Sequence, residues 1–155
     1  MIYSNKEVEK AELNDQIDLV IDWLETELGT KVKFGTDCSD TYFYPENFIT
    51  INTRQNLRSQ FHALLHESGH AVIRNEELSY YNRFPALDSK RENKDFRIDV
   101  VREEVLAWEE GRILAENLDI KLNEEWWNRH YHKAVYEYIR YVICPQEHDV
   151  WLNES

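Results

Sequence analysis

Five residues, His66-Glu67-Ser68-Gly69-His70, sit inside an apolar run, with Leu64-Leu65 before them and Ala71-Val72-Ile73 after. On a helix, positions four apart lie one above the other on the same face. A helix here therefore brings two imidazoles side by side, with a carboxylate next to them, on an element apolar enough to be buried. H-E-x-x-H is the spacing that lets both imidazoles grip one Zn²⁺ while Glu67 stands by as a general base. Gly69 adds a packing constraint. Glycine costs a helix roughly 1 kcal/mol relative to alanine, so its presence predicts the close approach of another element. His62 extends the row by one turn. Three imidazoles stacked along one helix cannot all reach one metal, so His62 is expected to be exposed or to sit behind the ligands.

Around this segment the chain divides into recognisable pieces. Ile17, Val20, Ile21, Leu24 and Leu28 predict a helix over 13–28 with Gly29 as its C-cap. Residues 31–34 and 41–44 read as short strands. Residues 47–52 read as a third, in which Ile49 and Ile51 alternate with polar residues. Thr53 is the expected cap of a helix over 54–74. The polar segment 75–93, with Tyr80, Tyr81 and Pro85, reads as a surface loop. Helices over 95–118 and 123–143 follow, the last ending before Pro145. Its positions 127, 131, 134, 135, 138, 139 and 142 predict a core face, which leaves Trp126 and Trp151 off the stripe for a pocket or an interface. Helix, small sheet and three helices make an α+β fold. The length of 155 residues suits a single domain, 1–155.

Two helical histidines leave a tetrahedral zinc site short of a ligand. Glu103, Glu104, Glu109, Glu110, His130 and His132 have suitable chemistry. Neighbours on a helix point about 100° apart, which separates the first two. The stripe Val100, Val101, Glu104, Ala107, Trp108, Gly111, Leu114, Ala115, Leu118 is apolar except for Glu104. Glu103 falls with Asp99, Leu106 and Glu110 on a face expected to be mostly solvated. A carboxylate aimed into a core needs a partner, either a metal or an arginine such as Arg97 or Arg102. The stripe selects Glu104 as the third metal ligand.

Leu64-Leu65-His66-Glu67-Ser68-Gly69-His70-Ala71-Val72, followed by Glu104-Val105-Leu106-Ala107, resembles the gluzincin metallopeptidases. In those enzymes a glutamate opening an E-x-x-A pattern on a later helix is the third ligand. Over about residues 40–115 the layout is nearest to the compact cytoplasmic ImmA/IrrE-type peptidases of bacteria, phages and mobile elements, and 42–52 is similar to their sheet segment. The resemblance implies a small N-terminal sheet packed on a zincin-type helical core, here with an extra C-terminal helix. It also implies Zn²⁺ on His66, His70 and Glu104, with Glu67 catalytic. In those families the residue after E-x-x-A is often Asn or Asp, which orients a ligand histidine. Here it is Trp108, with Asp95 and Asp99 as the available replacements.

Charge narrows the partners. Acids outnumber bases 30 to 18, a net charge of −12, whereas phosphate binding wants clustered Lys and Arg. Nucleic acid is therefore not expected, nor an anionic membrane; a protein or peptide substrate is, and a basic one would fit better, although an excess of acid also serves simply to keep a protein soluble. No apolar run approaches the roughly 18 residues that span a bilayer, and the polar start has no signal-peptide core. Cys38 and Cys144, far apart, read as free thiols of a reducing compartment. The cytoplasm is the expected address. The activity expected is zinc-dependent peptide hydrolysis, with Tyr80, Tyr81, His130, Tyr131 and His132 all able to supply a second oxyanion donor. The Phe48–Asn52 strand, if a sheet edge, would hold an extended peptide by strand addition. Two rival readings are a zinc-bearing regulatory protein that cleaves little or nothing, and an acidic decoy presenting carboxylates such as those of 7–12 or Glu124-Glu125.

Overall fold

The structure, a computed structural model, describes residues 4–89 and 91–146, so Trp151 lies outside the described residues. Helix α1 (Asn5–Trp23) opens on a capping box. The Ser4 hydroxyl accepts from the Glu7 N–H, and the Glu7 carboxylate accepts from the Ser4 N–H. It thus starts well before position 13, because its first turns are solvated and carry no apolar pattern for periodicity to detect. A wider π-helical turn (Leu24–Leu28) carries it to Gly29, whose φ of 66° is the left-handed cap expected there.

Three short strands follow: β1 (Lys31–Gly35), β2 (Thr41–Phe43) and β3 (Phe48–Asn52). Their order is β1-β3-β2, with β1 parallel and β2 antiparallel to β3. Phe48–Asn52 is therefore the central strand, so the condition for its holding a peptide by strand addition is not met, and β2 is an edge. Asn47 does not join β3 because it turns the chain at φ 61°. Its side chain accepts from the hydroxyls of Thr30 (2.7 Å) and Tyr42 (2.9 Å) and donates to the Leu28 carbonyl (2.9 Å).

Helix α2 (Leu57–Asn75) carries the H-E-x-x-H segment. Its cap is Asn56, which accepts from the Ser59 N–H at 2.9 Å. Thr53 is still tied to the sheet, its N–H donating to the Gly35 carbonyl. The 75–93 segment is more ordered than its polarity suggests. It contains α3 (Glu77–Arg83) and a 3₁₀ turn (Pro85–Asp88). Tyr80 and Phe84, four apart, bury against Ile73 and Ala107 in a small second core. Asn93 and Asn123 cap α4 (Lys94–Asn117) and α5 (Glu124–Ile143).

In the main core Ile49, Ile51, Leu64 and Leu65 are wholly buried, and α2 packs most extensively on α4. That contact is backbone against backbone. A Cβ on Gly69 would stand 1.9 Å from the Ala107 carbonyl oxygen, and one on Gly111 2.6 Å from that of Leu65. The approach anticipated from Gly69 is thus real, and α4 is the element that makes it. The stripe on α5 is core only in part. Trp127 is buried, but Ile139 is exposed, and Tyr138 borders an open groove. The architecture is mostly helical with one small sheet, an α+β arrangement. Among the described residues no helix is long and apolar enough to cross a membrane.

Candidate metal centre

Where α2 and α4 meet, His66, His70 and Glu104 converge. One ligand atom from each lies within 4.8 Å of the others, a group that could hold a metal ion. His70 Nε2 is 2.9 Å from Glu104 Oε1, and His66 Nε2 is 2.8 Å from Oε2. The second contact lacks hydrogen-bond alignment, so His66 Nε2 and Glu104 Oε2 are buried without a hydrogen bond. Buried polar atoms are normally bonded. Two imidazole nitrogens and a carboxylate, with orphaned atoms among them, suit a metal cation.

The carboxylate selected by the helical stripe is the buried one. Neither Arg97 nor Arg102 reaches it. Arg97 donates to the Glu92 carbonyl, and Arg102 to Asp99 and the Arg83 carbonyl. The other candidates lie elsewhere. Glu109 accepts from Tyr131, His130 meets His62, His132 is exposed, and Glu110 is no part of the converging group.

What orients the histidines corrects the sequence reading. Glu103 is not on a solvated face. Its Oε1 lies 3.2 Å from His70 Nδ1, and its Oε2 accepts from the Tyr80 phenol at 2.6 Å. His70 therefore has a carboxylate on each ring nitrogen, the arrangement that fixes a ligand imidazole. His66 is held differently, lying flat on the Trp108 indole at 4.4 Å between centroids and 13° between planes. Asp99 is buried too, but it accepts from the Ala86 N–H (2.9 Å) and Arg102 (2.7 Å), which fixes the chain before α4. Asp95 is exposed. Neither aspartate replaces the missing Asn or Asp.

Charge in the site is strongly coupled. Burial works against ionising Glu104, yet His70 and His66 beside it hold its carboxyl far below the usual range. Burial likewise opposes a proton on His70, but Glu104 and Glu103 raise it well above the ordinary histidine value. Glu67, 6 % exposed, is pushed up by burial, with His66 and His70 offsetting part of the shift.

The groove beside these residues encloses about 910 Å³ and is bordered by Asp40 to Tyr44 on one side and Lys133, Glu137 and Tyr138 on the other. Tyr138 was not legible as a site residue. Burial and the nearby carboxylates, Glu104 first and also hydrogen-bonded to it, push its phenol far above the ordinary value, so it stays protonated. The usable signal was a phenol on an apolar stripe, which needs a polar partner. Of the expected oxyanion donors, Tyr80 is engaged by Glu103, Tyr131 by Glu109 and His130 by His62, while Tyr81 is exposed.

His62 is buried rather than exposed. It packs edge-on against Trp127, with its Nδ1 2.6 Å from Nδ1 of His130. Burial, and next the His130 charge, lower it to about 3. An unfolded histidine titrates near ~6.5. As pH falls below that value the unfolded chain takes up a proton that the folded one refuses. The stability is complete above ~6.5 and is lost as pH drops toward 3. H62Q lacks this titration. Between pH 7 and 4 the wild type is expected to lose roughly 3 kcal/mol more than H62Q in urea unfolding. Parallel pH profiles for the two proteins would contradict it.

Compared with family models, curated proteins and solved structures, the chain matches none.

Proposed function

We propose that this chain is a zinc-dependent peptidase of the zincin type, hydrolysing a peptide bond in a protein substrate. The convergence of His66, His70 and Glu104, with Glu67 next to them in an open groove, carries the reading. The resemblance of the two motifs to the gluzincins, ImmA/IrrE-type peptidases among them, points the same way. Zinc on these three side chains would polarise the scissile carbonyl and bring the pKa of the attacking water toward about 7.

The remaining work belongs to the protein. Glu67 takes the water's proton and passes it to the departing amine. The Tyr138 phenol, which borders the groove and is hydrogen-bonded to Glu104, steadies that carboxylate. β2 offers a free strand edge along the groove, to which an extended peptide can add. A substrate of basic character fits the net charge of −12, and unpaired Cys38 and Cys144 suit a cytoplasmic address. The decoy reading is less favoured, since Glu9, Glu124 and Glu125 are already paired with Arg58, Arg112 and Arg129.

Protein purified without an affinity-tag metal or chelator should carry about one zinc per chain, as the three-ligand site requires. E67Q should keep that zinc and lose hydrolysis of denatured protein by about 10²-fold or more. Folded protein that refuses added zinc would sink the proposal. Zinc-loaded protein with a function indifferent to E67Q would instead be the regulatory protein.

A further inference from the structure

One turn beyond His70, α2 presents Arg74 on the same face, bordering the same groove. Its guanidinium carbon lies 3.6 Å from the centroid of Tyr80, 4.8 Å from Tyr44 and 6.0 Å from Tyr81. Among the described residues it is half-buried and makes these ring contacts but no hydrogen bond or ion pair. In so acidic a chain that is unusual. Arg54, Arg58, Arg83, Arg102, Arg112 and Arg129 each pair with a carboxylate. Glu103, close enough to feel the Arg74 charge, is committed to His70 and Tyr80. The rings fix the plane of a five-donor fork whose natural complement is a carboxylate. A guanidinium so held loses little further freedom on binding.

The geometry points to Arg74 as a specificity residue that receives a carboxylate of the substrate, either an acidic side chain or a chain's C-terminus. The inference rests on the peptidase reading and names a feature of its substrate. A phosphate is the poorer fit. Glu67, Glu103 and Glu104 border the same groove and repel a dianion more than a single charge. The substrate is then basic overall but acidic at one point.

Binding tests this without catalysis. Zinc-loaded E67Q is titrated by fluorescence anisotropy into fluorescein-labelled Ala/Ser heptapeptides that carry one Glu, one Gln or neither. Each peptide is made with a free and an amidated C-terminus. Carboxylate-bearing peptides should bind about ten-fold tighter than their neutral counterparts. Adding R74Q should erase the difference, and R74K should keep its sign at reduced size. A preference seen in amidated Glu peptides identifies a side chain, and one that follows the free terminus identifies the chain end. Equal binding of charged and neutral peptides, or a preference that survives both substitutions, overturns the inference. Circular dichroism and zinc content report whether each variant is folded. If the wild type cleaves nothing but the Arg74-dependent preference persists, the peptidase reading falls and the carboxylate site stands.

Discussion

Glu104→Ala is expected to weaken zinc binding by more than about a hundred-fold, beyond the ~10–100-fold that loss of an outer partner costs. Glu103→Ala is expected to stay within that range. The two residues are sequence neighbours and both touch His70, so the pair separates a ligand from a residue that aims one. Glu104 faces the Nε2 atoms of both histidines, the atoms that converge, while Glu103 meets only Nδ1 of His70. Competition against a chromophoric chelator reads both affinities in one experiment. A larger loss from Glu103→Ala would reverse the assignment.

Among the four glycines, Gly69→Ala should be the most damaging change. Its Cβ would stand 1.9 Å from the Ala107 carbonyl oxygen, a backbone atom in the middle of α4 that no rotamer change can move. Ordinary overpacking costs about 1–3 kcal/mol because side chains yield. Here two helices must part, and the ~1 kcal/mol gained in helix propensity cannot compensate. A loss of about 4 kcal/mol or more is expected in urea unfolding, together with weaker zinc binding as Glu104 is carried away from His66 and His70. Gly35→Ala is the control, since its Cβ would meet only Cys38 Sγ at an ordinary 3.6 Å. Near-native stability of Gly69→Ala would show that the helices do not cross backbone to backbone.

The three converging residues were readable because each carries its own local signal. Two histidines at helical spacing share a face, and Glu104 is the one acid on an apolar stripe. Glu103 was misplaced by the same rule, applied too rigidly. Adjacent Cα–Cβ vectors diverge by about 100°, but His70 has nitrogens on both sides of its ring and so meets two neighbouring carboxylates. The order of the strands was not legible. Alternation marks Ile49 and Ile51 as inward-facing but does not say which strand lies between the other two. The 75–93 segment escaped because Tyr80 and Phe84 make one helical repeat, too little for a period. The start of α1 had its signature in Ser4-x-x-Glu7, but without apolar residues behind it the capping box stood unsupported.

A strand edge open to one extended chain is open to others, including copies of the protein itself, and long flat edges are where sheets fuse into aggregates. β2 is only three residues long, with Asp40 just before it and Pro45, which has no N–H to offer, two residues after it. So short an edge lacks the register needed to propagate a sheet from molecule to molecule. The brevity of β2 thus closes that edge, though not the longer edge of β1, to the growth of a sheet from one molecule to the next.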